Sequence, residues 1–200
     1  MIKTFLHVGC GRQRKDATTQ GFNTPEWNEL RLDIDETVEP DIVGSMTDMS
    51  AVADGSVDAV FSSHNIEHLY AHDVPLALAE FLRVLKPDGF VVITCPDLKS
   101  VCALVADDKL TEAAYISPAG PIAPLDILYG HRASMQSGNL HMAHRSGFTE
   151  KVLGATLGVA GFAAVATLAR PANFDLWAIA SKSDRPADEM RAMAAIYFAR

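Results

Sequence analysis

Three histidines and one glutamate share the stretch "SSHNIEHLYAH" (62–72): His64, Glu67, His68 and His72. On a helix, residues four apart lie on one face. Such a set can take a proton, hold a divalent metal, or brace a turn. A second chemical feature is "HVGCGRQ" (7–13). Gly9 and Gly11 remove the Cβ atoms that would keep a ligand from the backbone, and bare N–H groups favour an anionic or polar partner. Asp33 follows about twenty residues later, where an acid can accept both hydroxyls of a ribose. The third glycine of a dinucleotide fingerprint is missing, since position 14 is Arg, and no Tyr is followed four residues later by Lys.

These residues need strands and turns to carry them. "IKTFLHV" (2–8) is an apolar run ending at the glycine turn and reads as a strand buried on both faces. "LRLDI" (30–34), "DIVGSM" (41–46) and "SVDAVFSS" (56–63) read as three more, the last introduced by a "DG" turn. Asp73 and Pro75 open a helix through "VPLALAEFLRVL", which stops before Pro87. "FVVITC" (90–95) is the fifth strand. "FTEKVLGATLGVAGF" (148–162) is a helix capped by Thr149 and stopped at Gly161. "AAVATLA" and "FDLWAIAS" are two final strands, the second antiparallel to its neighbours, and 186–199 is a last helix with Met190, Met193, Ala194 and Tyr197 on one side. This is an α/β doubly wound, Rossmann-like sheet, mostly parallel, closed by an antiparallel hairpin.

Two hundred residues suit a single domain over 1–200. Within it, 104–147 has no sustained period, and Pro118, Pro121 and Pro124 lie close together. It reads as an inserted substrate-side loop or lid. The balance is acidic, 25 Asp and Glu against 17 Lys and Arg, which argues against a long nucleic acid as partner. No stretch reads as a signal peptide or a membrane span, and Cys10, Cys95 and Cys102 give no disulfide framework. The expectation is a reduced, cytoplasmic protein, with a homodimer left open.

The chain resembles class I S-adenosylmethionine-dependent methyltransferases of the "GCG…EHL…LKPDG" type, methyltransferase-11-like. The matching pieces, in order, are "LHVGCG", "RLDID", "DIVGSMTDMS", "DGSVDAVFSSHNIEHL", "EFLRVLKPDGFVVITCPD" and "GFTEKVLGATLGVAGF". The resemblance implies a seven-stranded sheet and S-adenosyl-L-methionine as cofactor. Gly9, Cys10 and Gly11 would wrap its methionine part. Asp33 would bind ribose, with Ile34 against the adenine and Ser45 and Met46 at the adenine edge. The family often has Asp where Ser45 stands, so either Asp48 substitutes or the adenine is held more loosely. Ser62 and His64 would lie near the reactive methyl group.

Methyl transfer is an in-line displacement at a sulfonium, so the protein mainly positions the nucleophile and removes its proton. His72 falls to the start of the next helix, which leaves His64, Glu67 and His68 on one turn as the catalytic set. They either orient the site or supply a general base. In the small-RNA 2′-O-methyltransferases a similar segment reads Glu-x-x-Glu-His and ligates a divalent metal. Here His64 stands at its first position, and a further ligand would have to come from "HMAH" (His141, His144). The expectation is therefore no metal.

"YGHRASMQSGNLHMAHRSGF" is dense in polar and aromatic residues and should pass over the carboxyl-end face. Tyr129, His131, Arg132, His141, His144 and Arg145 are its candidates for substrate contact, the arginines for a carboxylate or phosphate. The expected function is methyl transfer to a small-molecule or glycan-like acceptor. The alternative is a non-catalytic protein of methyltransferase fold that binds cofactor or a partner.

Overall fold

The structure is a computed structural model and describes residues 2–199. Nine strands and six helices follow in order: β1 (Lys3–Val8), β2 (Trp27–Asp33), β3 (Ile42–Val43), β4 (Val57–Ser63), α1 (Val74–Val84), β5 (Leu85–Pro96), α2 (Leu98–Ala106), β6 (Tyr115–Ser117), β7 (Gly120–Ile122), α3 (Pro124–Tyr129), α4 (Arg132–Gln136), α5 (Glu150–Ala160), β8 (Ala164–Arg170), β9 (Asp175–Ser181) and α6 (Ala187–Tyr197). Seven strands form one sheet in the order β3-β2-β1-β4-β5-β9-β8. The first five are parallel, and β9 runs antiparallel to both β5 and β8. The doubly wound sheet with its antiparallel hairpin is as the sequence pattern predicts.

Alternation along the strands sends two sets of side chains to opposite faces. On one, Leu6, Val60, Val91 and Ile93 pack under α1 (Leu78, Phe81) and α5 (Leu153, Leu157). On the other, Phe5, Phe61, Phe90 and Trp177 meet Met190, Met193 and Tyr197 of α6, with Phe22 and Trp27 among them. The connection from β1 to β2 holds only a 3-10 turn, Lys15–Ala17. The C-terminal helix and the Phe22 loop cover the face that a crossover helix would otherwise protect.

Several details differ from the sequence pattern. β2 begins at Trp27 rather than at residue 30, and β3 is reduced to two residues. Asp73 has helical dihedrals and makes no side-chain cap; its carbonyl accepts the Leu76 and Ala77 N–H groups instead. Thr149 likewise leaves its hydroxyl out of the cap of α5. The largest departure is 104–147, which is not irregular. It contains the end of α2, the β6–β7 hairpin, α3, α4 and a 3-10 turn at Leu140–Met142. α2 carries a signal that the periodicity reading passes over: Asp97 accepts from the N–H groups of Lys99 and Ser100. No described helix is long and apolar enough to cross a membrane.

Candidate active site

β1 lies between β2 and β4, so the chain leaves it in both directions, and a crevice opens at the carboxyl ends of these strands. A cavity of about 500 Å³ occupies it. Gly9 and Gly11, both with φ in the left-handed region, form its floor. The Gly9 and Cys10 N–H groups turn back onto the Leu32 carbonyl (2.8 and 3.3 Å). Cys10 is buried, which pushes its thiol up to about 11 and makes it inert at neutral pH.

Asp33 stands at the end of β2. One carboxylate oxygen accepts the Gly11 N–H at 2.7 Å and the other accepts the Asp35 N–H at 2.9 Å. The turn and the acid therefore fix one another. Ile34 is half exposed beside it. Ser45 and Met46 line the neighbouring wall, where the Ser45 hydroxyl pairs with that of Thr47 at 2.8 Å. Asp48 turns to the Ser50 N–H and is not among the lining residues. Ser62 is buried beneath the floor, while Ser63 lines the cavity.

Two supporting residues lie outside the sequence reading. Arg31, fully buried, donates from its guanidinium to the carbonyls of Gly11 (2.5 Å), Gln13 (3.2 Å), Glu39 (2.7 Å) and Val38 (3.3 Å). It ties the glycine turn to the segment after β2. The side-chain amide of Asn65 donates to the Val8 and Ser63 carbonyls, both at 3.0 Å, and joins the ends of β1 and β4. No local pattern marks either residue, because their partners are main-chain carbonyls set by the fold.

The "HNIEH" segment follows β4. His64 adopts φ 55°, a left-handed conformation costly for a side chain with a Cβ, and its ring lines the cavity. Ile66–His68 is a single 3-10 turn with Asn65 at its N-terminal cap, so Glu67 and His68 share it while His64 lies before it, outside the common turn that the sequence suggested. Glu67 points inward and is buried, with neither carboxylate oxygen hydrogen-bonded. His64 Nδ1 lies 3.4 Å from Glu67 Oε1, near enough for an ion pair but outside hydrogen-bond geometry. Burial opposes the charge of Glu67, but the His64 contact and the charges of His64, His68 and His144 outweigh it and hold the acid below the usual carboxylate range. His72 is exposed and takes no part, as its place at a helix start predicts.

The wall from 129 to 146 reaches this turn. Arg145 and Ser146 N–H groups donate to the Glu67 carbonyl (2.8 and 3.1 Å). Gly130 makes the approach possible, since a Cβ there would sit 2.0 Å from the Met142 carbonyl oxygen. His144 is thereby set edge-on to His68, ring centroids 4.9 Å apart. Burial holds its pKa below the usual imidazole value. His141 and Arg145 line the cavity, and the Arg145 guanidinium rests over the Tyr70 ring. The remaining candidates lie elsewhere. Arg132 is engaged by Asp126 at 2.7 and 3.0 Å, His131 by the Ser134 hydroxyl, and Tyr129 is exposed outside the cavity.

Residues 6–93 match the model of a methyltransferase domain family. The match runs from β1 into β5. The fold agrees with that of solved S-adenosylmethionine-dependent methyltransferases. An N1-methyltransferase from Burkholderia thailandensis, solved with 1,6-didemethyltoxoflavin and S-adenosylhomocysteine, is 16% identical with a TM-score of 0.55, covering 91% of this chain and 72% of that one. A SAM-dependent methyltransferase from Archaeoglobus fulgidus is 18% identical at TM-score 0.55, covering 90% and 86%. One from Aquifex aeolicus is 15% identical at TM-score 0.54, covering 90% and 82%. At these identities the likeness is one of fold. No curated protein sequence matches the chain.

Proposed function

We propose that the chain is an S-adenosylmethionine-dependent methyltransferase that uses the crevice above Gly9–Gly11 to transfer a methyl group to a small-molecule or glycan-like acceptor. The observation that carries the reading is the Asp33–Gly11 lock. Asp33 uses one backbone N–H per oxygen and keeps lone pairs for a vicinal diol. The N–H groups of Gly9, Cys10 and Gly11 are spent on Leu32 and Asp33, contrary to the sequence expectation of bare donors, so what the turn offers a ligand is the open space over Gly11. Ile34 and Met46 offer apolar surface for an adenine ring, and Ser45 offers a hydroxyl at its edge. Arg12, on the same rim, suits a carboxylate.

S-adenosyl-L-methionine, when bound, supplies an electrophilic methyl group on a sulfonium. The protein's own work is to orient the acceptor and take its proton. His64 is placed for that: its ring is in the cavity wall and its Nδ1 faces the buried Glu67 carboxylate, which favours the imidazolium as it forms. His68 and His144 support Glu67 from behind. His141 and Arg145 make the acceptor wall polar, which suits a hydroxylated or acidic molecule.

The test is mass spectrometry after incubation with deuteromethyl-labelled S-adenosylmethionine and a panel of sugars, glycans and small hydroxy acids. A labelled product lost in His64→Ala supports the acceptor class. Cofactor binding with no product across the panel would remove it.

A further inference from the structure

We infer that Glu67, His68 and His144 form a binding site for a divalent first-row metal ion, with His64 on the side facing the cavity. One ligand atom from each of the three lies within 4.8 Å of the others. Donors roughly 2.0–2.2 Å from a common ion are about 3–4 Å apart, so a small ring rotation completes the geometry.

The unspent groups point to a cation. Glu67 is 1% exposed, and neither of its carboxylate oxygens has a hydrogen-bond partner among the described residues. Among them, only the half-exposed His64 faces it as an ion-pair partner, at 3.4 Å, so both oxygens keep lone pairs that a bound cation would use. Bracing does not account for the side chain, because the main chain already braces the turn through the Arg145 and Ser146 N–H groups on the Glu67 carbonyl.

Both rings are oriented as ligands. His68 Nδ1 lies 3.1 Å from the Ala143 carbonyl oxygen and His144 Nδ1 lies 2.7 Å from that of Ile127. A carbonyl only accepts, so each Nδ1 carries the proton and each Nε2 is left with its lone pair. A ring N–H held by a backbone carbonyl is the usual support for a metal-bound histidine. Two neutral imidazoles and one carboxylate form a donor set suited to zinc, manganese or iron(II). The fourth direction leads toward His64, half exposed at the cavity wall. An ion there would polarise an acceptor oxygen. That role rests on the transferase reading above; the site itself does not.

The reading departs from the sequence expectation of no metal, and the reason is His144. It lies 76 positions beyond His68 and reaches Glu67 only because Gly130 lets the two chain segments pass.

The experiment uses the untagged full chain, stripped with a chelator and titrated separately with Zn²⁺, Mn²⁺ and Co²⁺ by calorimetry, with visible absorption recorded for Co²⁺. We expect one ion per chain for at least one metal, and a cobalt d–d spectrum. Glu67→Gln and His144→Asn should each weaken binding ten-fold or more, while exposed His72→Asn leaves it unchanged. Glu67→Gln is isosteric and carries the test if His144→Asn fails to fold. No binding by the wild type, or undiminished binding in a folded Glu67→Gln, overturns the site. Titration of the same samples with S-adenosylhomocysteine keeps a failure of the cofactor reading separate from a failure of the metal site.

Discussion

Asn65 fills the space that a side chain on Gly9 would need: a Cβ built at residue 9 would sit 2.1 Å from Asn65 Oδ1. The first glycine of the turn therefore serves two demands, a left-handed φ and room for the amide that joins β1 to β4. Gly9→Ala should displace Asn65, lower the melting temperature by several degrees and abolish cofactor binding. Thermal unfolding with and without S-adenosylhomocysteine checks it. A variant that melts and binds like wild type would show that the amide is not a strut.

Arg31, itself buried, donates to four carbonyls, and its loss leaves them without that donor. Arg31→Met should cost on the order of 3 kcal/mol in urea unfolding, because hydrogen bonds from a charged donor are worth about 1.5–3 kcal/mol each, less what water recovers at the carbonyls. Cofactor affinity should fall with it, since the Gly11 carbonyl belongs to the binding turn. A stability loss under about 0.5 kcal/mol would contradict this account.

The Asp126–Arg132 pair fastens α3 to the start of α4, ahead of the segment that reaches the Glu67 turn. The Arg132 guanidinium, with the Ala123 and Arg132 N–H groups, holds the Asp126 carboxyl down at about 2. A carboxyl depressed on folding stabilises the fold above its unfolded value, and that stability is lost as pH falls through the folded value. Asp126→Asn should therefore lower the melting temperature clearly at pH 7. The gap should narrow between about pH 4 and pH 2. A gap independent of pH over that window would remove the ion pair as its cause.

His64 is the more exposed of the two cluster histidines, His64 and His68, that line the cavity. His64→Ala should leave S-adenosylhomocysteine affinity within about three-fold and lower turnover by about 10²–10⁴-fold once an acceptor is in hand. Relief of the left-handed backbone by His64→Gly should raise thermal stability slightly while turnover stays low. Full turnover in either variant would assign the proton to another group.

Much of this was legible in the sequence because it is local. Alternating apolar runs gave the strands, the glycine turn followed β1, and Asp33 fell at a strand end by spacing alone. Of the "HNIEH" set, Glu67 and His68 do share a turn, whereas the left-handed backbone at His64 keeps it outside. What the sequence could not carry was long-range. Arg31 and Asn65 are bonded to carbonyls whose positions only the sheet sets. Ser62 and Ser63 differ by one residue, and a strand's period of two sends one under the floor and the other into the cavity. His144 meets Glu67 across a connection that reads as irregular because its helices are too short to show a period. Arg132, read as a substrate contact, is already engaged by Asp126 six residues away.

The central claim is that Asp33, locked to the Gly11 N–H, binds the cofactor's ribose. Calorimetric titration of the wild-type chain and of Asp33→Ala with S-adenosylhomocysteine tests it most directly. The account predicts one site per wild-type chain with micromolar-range affinity, weakened by about 1–3 kcal/mol in Asp33→Ala through loss of charge-assisted acceptors. No heat with the wild type, or an affinity unchanged in a folded Asp33→Ala, would contradict it.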